Sequence, residues 1–247
     1  MRSGPIQVLC ATRRPVEGER KPTLVIAGAT GALGNEVLRR LVGLKGFEST
    51  QVLAREPVRA GLRGLALSVV ASDSPARWLP ARADVGVILF DPPRLFYQRE
   101  RALWTPRPEQ LPELAHWMRR SGVATLAIVL PHAQGRLPEA LKRGLASLDE
   151  QAVAALGFER LLLIRSAQKP GAAVVGGALS RVAHWMLSIG RFMVSSSEQP
   201  VRAAKVAELL AVALQLAPPG IHIAAPELVW RAAQGDLLAT ARQWLRA

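Results

Sequence analysis

The chain is poor in cysteine, tyrosine and lysine: its 247 residues include one Cys (Cys10), one Tyr (Tyr97) and five Lys. A lone cysteine excludes a disulfide scaffold and a cysteine-based zinc site, and it fits a reducing compartment. The four histidines, His116, His132, His184 and His222, are dispersed and lack metal-ligand spacing. No stretch reaches the ~18 unbroken apolar residues of a membrane-crossing helix. The N-terminus has no apolar core of a secretory signal, and Glu17 and Glu19 argue against a transit peptide. The expectation is a cytoplasmic protein with no membrane span. Acidic residues are also few, 19 against 32 basic ones, which leaves a net charge of +13. Such a charge invites a nucleic-acid partner. Twenty-seven of the basic residues are Arg, however, spread over the whole chain without a long run. No aromatic-interleaved basic motif accompanies them, so the surplus reads as compositional background, and nucleic acid is not the favoured partner.

Hydrophobic residues make up 49% of the chain, enough for a sizeable core. Residues 1–21 read as a loose tail. Residues 22–247 read as a single domain, with cap elements mainly within 171–247. From Thr23 short apolar runs alternate with helical patterns. Strands are expected at 23–27 (TLVIA), 51–54, 66–70, 85–90 (VGVILF), 125–130 and 160–164 (RLLLI). Helices are expected at 32–42, 108–121 and 138–156. The first strand is continuous and β-branched, as a strand buried on both faces should be. Repeated βα alternation predicts an α/β fold: a doubly wound, Rossmann-like parallel sheet with a small C-terminal cap. Within the cap, 178–194 reads as an apolar helix with a narrow polar stripe of Arg181, His184, Ser188 and Arg191. Core or lid packing is the preferred account of it, with a homodimer or membrane-surface contact as alternatives. A helix at 203–216, a strand at 221–224 and a helical stretch from Pro226 complete the chain.

The first strand runs into Gly28-Ala29-Thr30-Gly31-Ala32-Leu33-Gly34, which opens the first helix. A G-x-x-G-x-x-G string is weak by itself, but between a buried strand and an amphipathic helix it has the context that phosphate binding requires. Gly28 permits the tight turn, Gly31 allows close approach of a pyrophosphate, and Gly34 lets the helix approach the sheet. Free N–H groups and the positive dipole end of the helix would face the phosphates. About twenty residues on, Arg55 could fork onto a 2′-phosphate and Arg59 could share it, while Glu56 could hold a ribose 2′-OH. Arg55 is preferred, hence NADP over NAD.

With TLVIAGATGALG, LAREP, DVGVILF and RLLLIRS in this order, roughly residues 22–230 resemble an atypical short-chain dehydrogenase/reductase of the NmrA-like and TIP30-like group. The resemblance implies further cofactor neighbours. Phe90, Asp91 and Pro92 follow strand four, Ser72 and Asp73 follow strand three toward the adenine, and Leu130, Pro131 and His132 border the nicotinamide. It also implies a Tyr-x-x-x-Lys pair on the helix after strand five, where the Tyr donates a proton and the Lys lowers its pKa. This chain departs from that pattern. Its one tyrosine follows strand four with Arg101 four residues on, and Lys142 has Pro138 four residues before it. The serine at the end of strand five gives way to Leu-Pro-His-Ala. His132 is the one nearby side chain suited to acid/base work, a candidate only.

Three functions are therefore open. The first is a dinucleotide-binding sensor or scaffold without standard catalysis. The second is an NADPH-dependent oxidoreductase on an unknown small carbonyl compound with a non-standard proton donor. The third, least favoured, is a partner- or nucleic-acid-binding module.

Overall fold

The computed structural model describes residues 20–44, 46–57, 64–94, 97–132, 144–167 and 201–246. Its centre is β1 (Leu24–Ala27), in which all four residues are fully buried. Strand side chains alternate between faces. Leu24 and Ile26 accordingly enter one core, and Val25 and Ala27 the core on the other side. A strand flanked by helices on both faces needs this continuous apolar run.

β1 pairs in parallel with β2 (Thr50–Ala54) on one side and β4 (Val85–Leu89) on the other. The sheet order is β3-β2-β1-β4-β5-β6-β7, with β3 Leu65–Val69, β5 Thr125–His132, β6 Arg160–Ala167 and β7 Gly220–Ala224, and every pairing is parallel. This is the doubly wound Rossmann-type sheet that the βα alternation predicts. Its order reverses between β1 and β4, the switch point where such sheets carry their ligands.

Helix α1 (Gly31–Gly43) presents Leu33, Val37 and Leu41 to the first core, four residues apart along one face. Beside it lies a helix at Ala203–Leu216, and Arg40 reaches across to Glu208 at 3.2 Å. The opposite core is covered by α3 (Leu111–Arg120), which follows the short α2 (Gln98–Arg101), and by α4 (Leu148–Ala154). Numbered on from there, Ala203–Leu216 is α5, and α6 (Pro226–Gln234) and α7 (Leu237–Arg246) close the chain.

Several expected boundaries shift. β5 and β6 run past Leu130 and Ile164, because their pairing continues through Pro131↔Ser166 to His132↔Ala167. The pattern expected to start a helix at Pro108 begins as a single 3-10 turn, Pro108–Gln110. The C-terminal strand, expected within a cap, is the seventh strand of the sheet, and the stretch from Pro226 breaks into two helices. Residues 1–19 of the expected tail, 138–143 of the expected 138–156 helix, and the 178–194 helix lie outside the described residues, and the described part of the 138–156 stretch is helical only over Leu148–Ala154, capped by Ser147. Among the described residues no helix is long and apolar enough to cross a membrane.

Candidate functional site: a glycine turn answered by carboxylates

The parallel sheet brings the expected site residues to one edge. The turn after β1, Phe90–Pro92 after β4, and Leu130–His132 at the end of β5 all sit at C-terminal strand ends. Gly28 and Gly31 adopt left-handed φ values of 80° and 68°, a region that L side chains enter only with strain. Gly34 serves the close approach of helix to turn: a Cβ there would lie 2.7 Å from the Gly28 carbonyl oxygen.

A helix begins with N–H groups that lack partners within the helix. Thr30 occupies the N-cap of α1, yet its side chain does not cap. The hydroxyl instead donates to the Asp91 carbonyl at 2.6 Å and lies 3.1 Å from the Thr105 hydroxyl. The helix has no acidic residue in its own first turn. Two distant carboxylates take that place. Asp91 Oδ2 accepts the Leu33 N–H at 2.8 Å, and Asp91 also draws on the Ala32 N–H. Glu100 Oε2 accepts the Gly31 N–H at 3.0 Å.

Glu100 is 4% exposed and saturated with donors. Its Oε2 also accepts the Arg94 N–H at 2.9 Å, while Oε1 accepts Asn35 Nδ2 and Arg94 Nε, each at 2.7 Å. The second guanidinium nitrogen of Arg94 bonds the same oxygen. Burial pushes the Glu100 carboxyl up, but the bonds from Arg94, Gly31 and Asn35 together outweigh it and hold the group below its ordinary value. Asp91 moves the other way. Burial, with the Glu100 charge adding to it, raises its pKa against the Leu33 and Ala32 N–H bonds and the pull of Arg94.

The same stretch of chain also covers the strand ends. Trp104 N–H donates to the Leu53 carbonyl at 2.9 Å, and its own carbonyl accepts the Gly28 N–H at 3.2 Å. The Arg55 N–H reaches the Ala102 carbonyl at 2.7 Å, and Leu103 forms an antiparallel bridge with Ala54. Trp104 is buried edge-on to Trp78, with centroids 4.7 Å apart. Pro106 Cδ lies 3.0 Å from where a Gly28 Cβ would be.

The other expected residues fall as follows. Arg55 pairs with Asp73 at 3.2 Å across the ends of β2 and β3, both half-exposed. Ser72 donates through Oγ to the Ser74 carbonyl, and its own carbonyl holds the Trp78 indole N–H. Phe90 is buried, Leu130 is partly buried and Pro131 is exposed. Tyr97 is half-exposed under the Arg94 guanidinium, 3.8 Å from the ring centroid. Arg59 and Lys142 lie outside the described residues. Arg165, within β6, is buried and paired with Glu150 at 2.5 Å. Among the described residues no cluster of His, Cys, Asp and Glu could hold a metal. A cavity of about 340 Å³ opens at the opposite edge of the sheet, beside Val85, Thr125 and Arg160.

A nicotinamide dinucleotide cannot occupy this turn while Asp91 and Glu100 are in place. Its pyrophosphate would need the Gly31 and Leu33 N–H groups, both already bonded to carboxylates. The space over Gly31 is taken as well, since a Cβ there would lie 2.3 Å from Asp91 Oδ2. Glu100, Arg94, Asn35 and Trp104 were not legible as site residues, because nothing in their local sequence sets them apart from surface or core positions.

The sequence matches no protein-family model and no curated protein. Solved structures with similar folds include the Bordetella bronchiseptica enzyme WbmF in complex with NADH, at 10% identity over 90% of this chain and 78% of that one, TM-score 0.46. WbmH of the same bacterium, in complex with NAD+, is 12% identical over 86% and 81%, TM-score 0.47. UDP-N-acetylglucosamine 4-epimerase from Bacillus cereus is 13% identical over 85% and 84%, TM-score 0.42. Likenesses this distant concern the chain path alone, and the sheet order carries the fold by itself.

Proposed function

We propose that this chain is a non-catalytic protein of the Rossmann type, a nucleotide-responsive sensor or scaffold, and not a reductase. One observation carries the reading: the first-turn N–H groups of a phosphate-type glycine turn are answered by the chain's own Asp91 and Glu100. A resident dinucleotide would need those groups free. The sequence adds that the Tyr-x-x-x-Lys relay of the resembling family is missing. NADP in preference to NAD follows from Arg55 at the end of β2, where a 2′-phosphate would replace Asp73 as its partner.

A thermal-shift titration with NADP(H) and NAD(H), run beside a screen of carbonyl substrates, tests the proposal. A ligand bound only by the folded state raises the midpoint. The expected result is a small rise at high concentration, larger for NADP(H), with no turnover. Steady NADPH oxidation with any carbonyl substrate would overturn it.

A further inference from the structure

We infer that the stretch from Tyr97 to Pro106 is a built-in competitor for the nucleotide crevice, with Glu100 as its anionic head and Asp91 beside it as a second carboxylate that has to withdraw as well. The inference rests on reading the crevice as a nucleotide site, and it adds what controls entry. Three independent features support it. First, the donors at the start of α1 are satisfied from positions 58 and 69 residues away in sequence, while the Thr30 hydroxyl at the N-cap is turned to the Asp91 carbonyl. If capping alone were needed, a Thr in that position could supply it locally. Second, the backbone of 102–104 bonds to the ends of both β1 and β2, the strands that a dinucleotide would lie across. Third, Glu100 is held ready by Arg94 and Asn35, so the carboxylate arrives at the Gly31 N–H with its remaining lone pairs satisfied.

Anion binding and release of this stretch are therefore one equilibrium. A phosphate can reach the Gly31 N–H only after Glu100 leaves it and Asp91 withdraws from the space over Gly31. Because α2 continues directly into Ala102–Trp104, departure of Glu100 loosens the bonds from Trp104 to Leu53 and from Arg55 to Ala102. A nucleotide would thereby change the exposed surface around Arg94 and Tyr97, which is what a sensor requires.

The test is calorimetric titration of the full chain, as wild type, Glu100→Gln and Glu100→Ala, with ADP, NADP+ and inorganic pyrophosphate. Hydrogen exchange is followed in parallel at the Trp104 and Arg55 amides of the wild type. We expect Glu100→Ala to bind ADP and NADP+ at least tenfold more tightly than wild type, with Glu100→Gln between them. We also expect NADP+ to speed exchange at both amides. Equal affinities in all three proteins, or binding with unchanged protection of Trp104 and Arg55, would overturn the competitor while the nucleotide reading stands. Failure of every probe to bind any of the three proteins, with circular dichroism showing them folded, would overturn the nucleotide reading and the competitor together. If Glu100→Ala does not fold, Glu100→Gln and the wild-type exchange carry the same decision.

Discussion

Replacing Gly31 with alanine should destabilise the ligand-free protein, and about half of the loss should pass through Asp91. At φ 68° an L side chain costs about 1–2 kcal/mol. The added Cβ would lie 2.3 Å from Asp91 Oδ2, so the carboxylate must withdraw and give up the Leu33 N–H. A hydrogen bond to a charged group contributes about 1.5–3 kcal/mol, and the half-buried setting argues for the lower end. The sum is about 3 kcal/mol, or roughly 6–12 °C in a chain of this size. If Asp91 is removed first, the clash with its carboxylate disappears. Gly31→Ala in an Asp91→Ala background should then cost only the backbone strain of about 1–2 kcal/mol, leaving the double-mutant cycle about 1.5 kcal/mol short of additive. Urea denaturation of the four proteins without ligand measures this. If the glycine served only an absent cofactor, Gly31→Ala would cost little beyond the backbone strain. Additivity within about 0.5 kcal/mol would refute the carboxylate contact.

Three further outcomes are expected. Asp91 is raised above the ordinary carboxylate value of 3.8, chiefly by burial. Its contribution to stability is thus fully present below that value and is lost as pH rises through the folded pKa. The stability of wild type minus Asp91→Asn, followed by urea denaturation from about pH 4 to 7, should fall with pH, and a flat or rising difference would contradict the shift. Glu150→Ala leaves the buried Arg165 cation without its carboxylate and should cost about 3–5 kcal/mol, with Glu150→Gln recovering part; a loss under about 1 kcal/mol would show the pair to be unimportant. Trp104→Ala should cost about 3–5 kcal/mol by emptying the space beside Trp78, and chemical denaturation reads the loss directly; a change below about 1 kcal/mol would mean that the Tyr97–Pro106 stretch is not anchored there.

Much of the fold was open to local reading. Residues 23–27 carry an unbroken apolar run because β1 is covered on both faces, and 32–42 repeat their apolar residues at helical spacing because α1 is covered on one. The turn between them is readable for the same reason, since Gly28, Gly31 and Gly34 meet backbone constraints set within a few residues. Strand ends were less legible. β5 passes through Pro131 because its partner β6 continues alongside, a condition imposed by another strand. Arg55 was assigned to the cofactor from its distance beyond the glycine turn and Asp73 from the family resemblance, and their mutual pairing comes from the parallel register of β2 with β3.

The glycine motif predicts an anion at the start of α1, and a carboxylate satisfies that demand as well as a phosphate does. Which anion arrives is set by the chain path. Ala27 lies beside Ile88 in the parallel pairing of β1 and β4, and this register delivers Asp91 to the space over Gly31. Glu100 arrives because the chain then doubles back across the ends of β1 and β2. Neither contact leaves a trace in sequence spacing. Hydrogen-bond donors at a helix end select whatever acceptor the fold brings within 3 Å, and separation along the chain has no part in that choice.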